Sequence, residues 1–195
     1  MSTPTVTVRA ARPAEVGRVS ALARATFPDA CPPEMAAADI EAFMDRHLSE
    51  AAFTDYLTGD RYLVLLADMA DTADAAEGPD AGPLGSTLLG YTLVDWASDE
   101  EPPAGGRGTD GPGPAYLSKM YVSAAARGTG AATVLMEATL EAARERGHPA
   151  VWLGVNRANA RANAFYERLG FAVVGERSFA VGDATGHDFL RWRQL

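Results

Sequence analysis

Arg127-Gly128-Thr129-Gly130-Ala131-Ala132 stands between an apolar segment ending at Val122 and an amphipathic segment beginning near Ala131. The first N–H groups of a helix lack intrahelical partners, and the aligned peptide dipoles add partial positive charge, so such a turn suits a phosphate or pyrophosphate. Glycine lets an anion approach the backbone, although the same two glycines also make a plain strand-to-helix turn. Two nucleotide patterns fail here. A P-loop needs a lysine beside its last glycine, and the only lysine of the chain, Lys119, lies upstream. A dinucleotide fingerprint needs Gly or Ala where Thr133 stands, and Val155-Asn156-Arg157 brings no carboxylate for a ribose.

A second group of residues runs from Asn156 to Phe171. Ala162, Phe165, Tyr166 and Leu169 recur at i, i+3, i+4 and i+7 and share one helix face, so Tyr166 reads on this pattern as a core aromatic with its hydroxyl at the rim. A Cys31–His187 acyl-enzyme pair requires two distant segments to meet, and nothing near Cys31 in the sequence activates its thiol. One cysteine and three scattered histidines (His47, His148, His187) offer neither a disulfide nor metal-ligand spacing, so no metal site is expected.

Hydrophobic periodicity supplies the elements that must position these residues. Residues 5–9 alternate as a strand, and Pro13 followed by Val16, Val19, Leu22 and Ala23 reads as a first helix. Residues 34–47 form a second helix with Ile40, Phe43, Met44 and Leu48 on one stripe, and 50–57 a short third. Strands follow at 62–67, 86–96 and 115–122. A helix then runs to about Arg146, ended by Gly147. Next come a strand at 150–155, a helix at 159–169, a strand at 171–174 and a last strand around 188–193. Residues 68–85 and 99–114 are rich in Gly, Pro, Ala and Asp and are expected to be long flexible surface loops. The whole, residues 1–195, is expected to be one domain.

Seventeen basic residues against 26 acidic ones leave a net charge of −9, which speaks against nucleic acid as a partner. No stretch approaches the roughly 20 apolar residues of a membrane span, and the first residues lack a basic then hydrophobic leader. A soluble, unexported, cytoplasmic protein is expected.

Taken together, Arg127-x-x-Gly130-x-Ala132 and the pattern of Asn159, Ala162, Phe165, Tyr166, Gly170 and Phe171 resemble the GCN5-related N-acetyltransferase (GNAT) superfamily, most strongly over residues 115–195. AYLSKMYV, VWLGVN and the ending VGDATGHDFLRWRQL look like its PaiA-like branch, whose members acetylate spermidine and spermine. The resemblance implies an α/β (α+β) fold: a mixed, mostly antiparallel sheet of six or seven strands with helices on both faces. Two central strands, 115–122 and 150–155, would splay and leave backbone groups unpaired. It implies acetyl-CoA as acyl donor. Met120, Tyr121 and Val122 would offer backbone groups to the pantetheine arm, and Arg127, Gly128, Thr129, Gly130, Ala131 and Ala132 would cradle the pyrophosphate. Asn159 would lie near the thioester arm.

Tyr166 matches the tyrosine that serves as general acid for the leaving thiolate. The acceptor implied is a primary amine attacking directly in a ternary complex, a polyamine first, a protein N-terminus second and a small antibiotic-like amine third. The carboxylate that often acts as base on strand 115–122 has no counterpart here, which leaves Tyr116, Ser118 and Asp95 open. Asp29, Glu34, Asp183 and Asp188 form either an acidic acceptor cleft or a solvated surface. A homodimer through sheet edges is a further implication. The rival reading is a non-catalytic acyl-CoA-binding regulatory module.

Overall fold

The computed structural model describes residues 5–31, 35–69, 86–103, 111–181 and 184–195. Their strands are β1 (Val6–Ala10), β2 (Tyr62–Met69), β3 (Thr87–Asp95), β4 (Ala115–Val122), β5 (Ala150–Asn156), β6 (Ala172–Val181) and β7 (Ala184–Gln194). They form one seven-stranded sheet in the order β1-β2-β3-β4-β5-β7-β6. All its pairings are antiparallel except β4 with β5. The helices are α1 (Val16–Thr26), α2 (Ala37–His47), α3 (Glu50–Tyr56), α4 (Ala131–Glu145) and α5 (Ala160–Arg168).

The apolar run of β2 is continuous because both faces are covered. Val64 and Leu66 pack with Val19, Ala23, Met44, Leu48 and Phe53 of the α1–α3 layer. Leu65 and Ala67 alternate to the other face and pack with Ala131 and Leu135 of α4. A third cluster joins Met136 and Leu140 of α4, Leu117 of β4, Val151, Leu153 and Val155 of β5, and Tyr166 of α5. The expected helices on both faces of a mixed, mostly antiparallel sheet are therefore present.

The expected splay is present too. β4 and β5 share two register pairs, Ala115 with Val151 and Tyr116 with Trp152, and then part. The Tyr116 and Trp152 rings stack at that point, 4.3 Å between centroids. On its other edge β4 carries a bulge: Lys119 opposes Leu93 while Leu117 opposes Val94, so Ser118 is the extra residue.

Three element boundaries need correction. The loop expected over 68–85 begins too early, because Asp68 and Met69 extend β2. Asp68 is only 1% exposed and is bound by Arg9 at 2.9 Å and Arg18 at 2.9 Å, contacts no local pattern announces. Residues 70–85 and 104–110 of the two expected loops lie outside the described residues. The expected strands at 171–174 and 188–193 are parts of the longer β6 and β7, paired from Ala172–Trp192 to Val181–Ala184. Much of β6 is exposed at the sheet edge, so no apolar alternation marks its length.

Glu15 shows how the β1–α1 corner is held. Its carboxylate accepts from Arg9 Nη1 at 2.7 Å, Arg9 Nη2 at 2.6 Å and the Arg12 N–H at 3.0 Å. The Arg9 hydrogen bonds hold the Glu15 pKa below the usual glutamate value, against the opposing effect of burial. A depressed pKa gives stability that is present above the unfolded value, about 4.3, and lost as pH falls through the folded one. Glu15→Gln is therefore expected to lose less stability than the parent protein between pH 7 and pH 3, read from urea midpoints. An equal loss would mean that Glu15 does not contribute to the acid response.

Candidate active site

A cavity of about 1270 Å³ opens where β4 and β5 part. Leu117 to Tyr121 of β4 form one wall, Leu153 to Asn156 of β5 with Asn159 and Tyr166 the opposite one, and Phe43, Arg46 and His47 of α2 close a side. Met120, Tyr121, Asn159 and Tyr166 from the sequence-derived set thus meet in one space. Val122 and residues 127–132 are not among its lining residues; Val122 ends β4, and 127–132 form the turn before α4 and its first residues.

Tyr166 reaches the cavity because of how α5 is capped. Asn159 begins the helix, its side-chain oxygen accepting from the Ala162 N–H at 3.0 Å, and Gly170, at φ 79°, lets the chain leave it. The ring packs edge-on to Phe165 and Phe171, with centroids 5.5 and 5.7 Å away. Among the described residues its hydroxyl has no hydrogen-bond partner. Burial raises its pKa far above the ordinary tyrosine value, against the opposing charge of Arg191, so the phenol is protonated at neutral pH.

The turn before α4 has the geometry that its glycines suggest. Gly128 and Gly130 stand at φ 82° and 84°, and Gly130 is the left-handed N-cap of the helix. The Thr129 N–H donates to the Ala126 carbonyl at 3.2 Å and the Ala131 N–H to Thr129 Oγ1 at 3.3 Å. Among the described residues the N–H groups of Gly128 and Gly130 have no such partner. A Cβ built on either glycine meets nothing within 4 Å, so open space stands over the turn. Ala131 is buried under it, Ala132 is half-buried, and exposed Arg127 pairs with Asp29 at 3.5 Å.

The open base candidates fare differently. Asp95 is held by Arg61 through two hydrogen bonds, at 3.1 and 3.0 Å, and accepts from the Ala97 N–H at 3.1 Å. Arg177 hydrogen-bonds Tyr116, and burial raises the pKa of that phenol. Ser118 is the bulged residue, and its hydroxyl accepts from Lys119 Nζ at 3.3 Å. Asp188, 7% exposed, pairs with Arg177 at 3.2 Å inside the cavity wall, whereas Asp29 pairs outward. Glu34 and Asp183 lie outside the described residues. The Cys31 thiol donates to the Phe27 carbonyl at 3.4 Å and His187 bonds Ser178 at 2.9 Å, so the two are not brought together.

Three residues that no motif marked shape the site. Buried Arg191 of β7 grips Asn163 Oδ1 with Nε and Nη2 at 3.1 and 3.0 Å and gives Nη1 to the Phe171 carbonyl at 2.9 Å. Asn163 in turn donates to the Asn156 and Asn159 carbonyls, both at 2.9 Å, which ties α5 to the end of β5. Lys119 projects into the cavity with Nζ 5.2 Å from the Tyr56 ring centroid. Burial pulls its pKa down to about 8, partly offset by the charge of Asp95. Being the sole lysine among 17 basic residues was a signal of composition only.

Comparison with known proteins agrees with this geometry. An N-acetyltransferase of Mycobacterium bovis, itself uncharacterized, is 34% identical over 181 residues, covering 93% of this chain and 98% of that one. The PaiA N-acetyltransferase of Thermoplasma acidophilum, solved in complex with coenzyme A, shares the fold at TM-score 0.70 and 16% identity, covering 98% and 99% of the two chains. NAA60 of Arabidopsis thaliana, solved with a bisubstrate analogue, does so at TM-score 0.67 and 16% identity over 98% and 99%. Residues 53–171 match the model of the acetyltransferase (GNAT) family, and on that match and the mycobacterial identity the chain belongs to the GNAT acetyltransferase family.

Proposed function

We propose that the protein transfers the acetyl group of acetyl-CoA to a primary amine, with a polyamine as first acceptor. The observation that carries this reading is the cavity at the β4–β5 splay, where the Tyr166 phenol has no hydrogen-bond partner among the described residues and faces strand edges that no described strand pairs. Acetyl-CoA, as acyl-donor substrate, supplies the activated thioester. The backbone of Met120, Tyr121 and Val122, beyond the last β4–β5 pair, is available to bind an extended amide chain as an added strand would. Residues 127–132 present loop N–H groups and a helix N-terminus to the pyrophosphate, and Arg127 adds a cation. Among the described residues the Asn159 amide nitrogen has no partner, which leaves it to donate within the cavity while its oxygen caps α5. Tyr166 donates its proton to the sulfur as the thiolate departs. Asp39, Asp95, Asp99, Glu100, Glu101 and Asp188 outnumber the cations Arg46, Arg61, Lys119 and Arg177 along the cavity, an excess that favours a cationic acceptor.

The test is thiol release from acetyl-CoA with spermidine, spermine, a set of N-terminal peptides and an amine-free control. Turnover with the polyamines is expected. Turnover with peptides alone would discard the polyamine, and binding without any turnover would favour the regulatory module.

The turn has its own test. Gly130→Val forces a β-branched residue to φ 84° and fills the space above the loop amides. The acetyl-CoA dissociation constant is expected to rise at least tenfold by calorimetry. Gly59→Val is the control, with φ 82° and equal open space, but on the turn between α3 and β2. Equal affinities for both variants would remove the turn from the binding site.

A further inference from the structure

We propose that Lys119 is the general base of this acetylation: its ε-amino group, set into the cavity beside the β4 bulge, takes the proton from the acceptor ammonium. The inference rests on the acetyltransfer reading above and names the group which that reading lacks. A primary ammonium cannot attack, because its nitrogen has no lone pair until a proton leaves. β4 has no carboxylate, Asp95 is clamped by Arg61, and the Tyr116 phenol is engaged by Arg177.

The bulge at Ser118 changes the alternation of β4 at this point, and Lys119 lines the cavity. Its Nζ donates to the Ser118 hydroxyl at 3.3 Å and sits 5.2 Å over the Tyr56 ring. Among the described residues no carboxylate pairs with it within 4.0 Å. His47 of α2, Tyr56 of α3 and Asp95 of β3 are the titratable groups facing it, Arg61 holds Asp95, and Tyr62 packs on Tyr56. A half-buried ammonium there, with no carboxylate paired to it, is poised to be neutral near pH 8, close to the value that suits a base at physiological pH.

The protons balance. Lys119 Nζ takes one proton from R–NH3+, and the freed lone pair forms the N–C bond to the acetyl carbon as the C–S bond breaks. The departing sulfur takes the Tyr166 proton, and the phenolate is restored by the second proton that the nitrogen sheds. Lys119 then passes its proton to water, leaving R–NH–acetyl, CoA thiol and one released H+.

The experiment uses the full chain and whichever of spermidine, spermine and the peptides it acetylates, with kcat/KM measured from pH 6 to pH 11. The parent is expected to level off near pH 8. Lys119→Met and Lys119→Arg are expected to lose at least a hundredfold at pH 7.5. Their log(kcat/KM) should keep climbing by one per pH unit to the acceptor's own pKa, about 10.4 for a polyamine, so that the gap narrows at high pH; for a peptide α-amine, whose pKa is about 8, the ε-carbon titration below decides instead. KM for acetyl-CoA and melting temperature should stay near parental. A uniform loss with an unaltered profile, or a loss under threefold, overturns the proposal and leaves the acetyltransfer reading standing. A parent protein that acetylates none of the amines ends both. An independent reading comes from 13C-lysine labelling, which gives one ε-carbon signal because the chain holds one lysine. Titration near pH 8 is expected, and titration above pH 10 overturns the proposal.

Discussion

Tyr166→Phe is expected to lower turnover at least tenfold while leaving the acetyl-CoA dissociation constant within about twofold. The substitution deletes one oxygen and keeps the ring that packs against Phe165 and Phe171. Because the hydroxyl has no partner among the described residues, its loss orphans nothing and the fold is not the variable. Burial keeps the phenol protonated at neutral pH, so what disappears is a proton donor at the point where the sulfur acquires charge. Turnover and calorimetric affinity measured on the same preparation decide the matter, and an unaltered rate would remove Tyr166 from the chemistry.

The largest expected effect on stability comes from Asp68→Ala. Its carboxylate is buried and is shared by Arg9 and Arg18, each at 2.9 Å, which ties β2 to β1 and α1. Removing it leaves two guanidinium groups with partial substitutes, Glu15 for both and Ser86 for Arg18, so the cost should fall near the lower end of buried-pair disruptions, about 3 kcal/mol. In a chain of this length that corresponds to a drop of about 6–12 °C in melting temperature. Asp99→Ala, which removes a side chain 93% exposed, is the control and should change little. A drop for Asp68→Ala no larger than for Asp99→Ala would show that the shared carboxylate contributes no net stability.

The order of elements was legible because most of it is written in local periodicity. The run at β2 marks a strand covered on both faces, and the α5 stripe brings Tyr166 onto one face with Phe165 and Leu169. The pattern failed where pairing rather than patterning decides. Much of β6 is exposed, so only its ladder with β7 shows its length, and Asp68 reads as a loop polar residue until Arg9 and Arg18 arrive from β1 and α1. The site divides in the same way. The glycine turn, Asn159 and Tyr166 carry their signals within a few residues of sequence. Arg191, Asn163 and Lys119 matter through partners on other elements, and Lys119 gains its character from burial, which a single position in a strand does not announce.

The β4–β5 junction also bears on how the molecule responds to temperature. β5 and β7 are laced by seven register pairs, whereas β4 and β5 are laced by two. The sheet is therefore two blocks, β1–β4 and β5–β7–β6, joined by a short ladder and by the apolar cluster in which Leu117 and Val94 of one block meet Leu153 and Val155 of the other beneath α4. Hydrophobic cohesion weakens on cooling, so this joint, with the fewest ladder bonds to fall back on, is expected to loosen in the cold ahead of the blocks that it connects, read as earlier hydrogen exchange at the β4–β5 amides than at the β5–β7 ones.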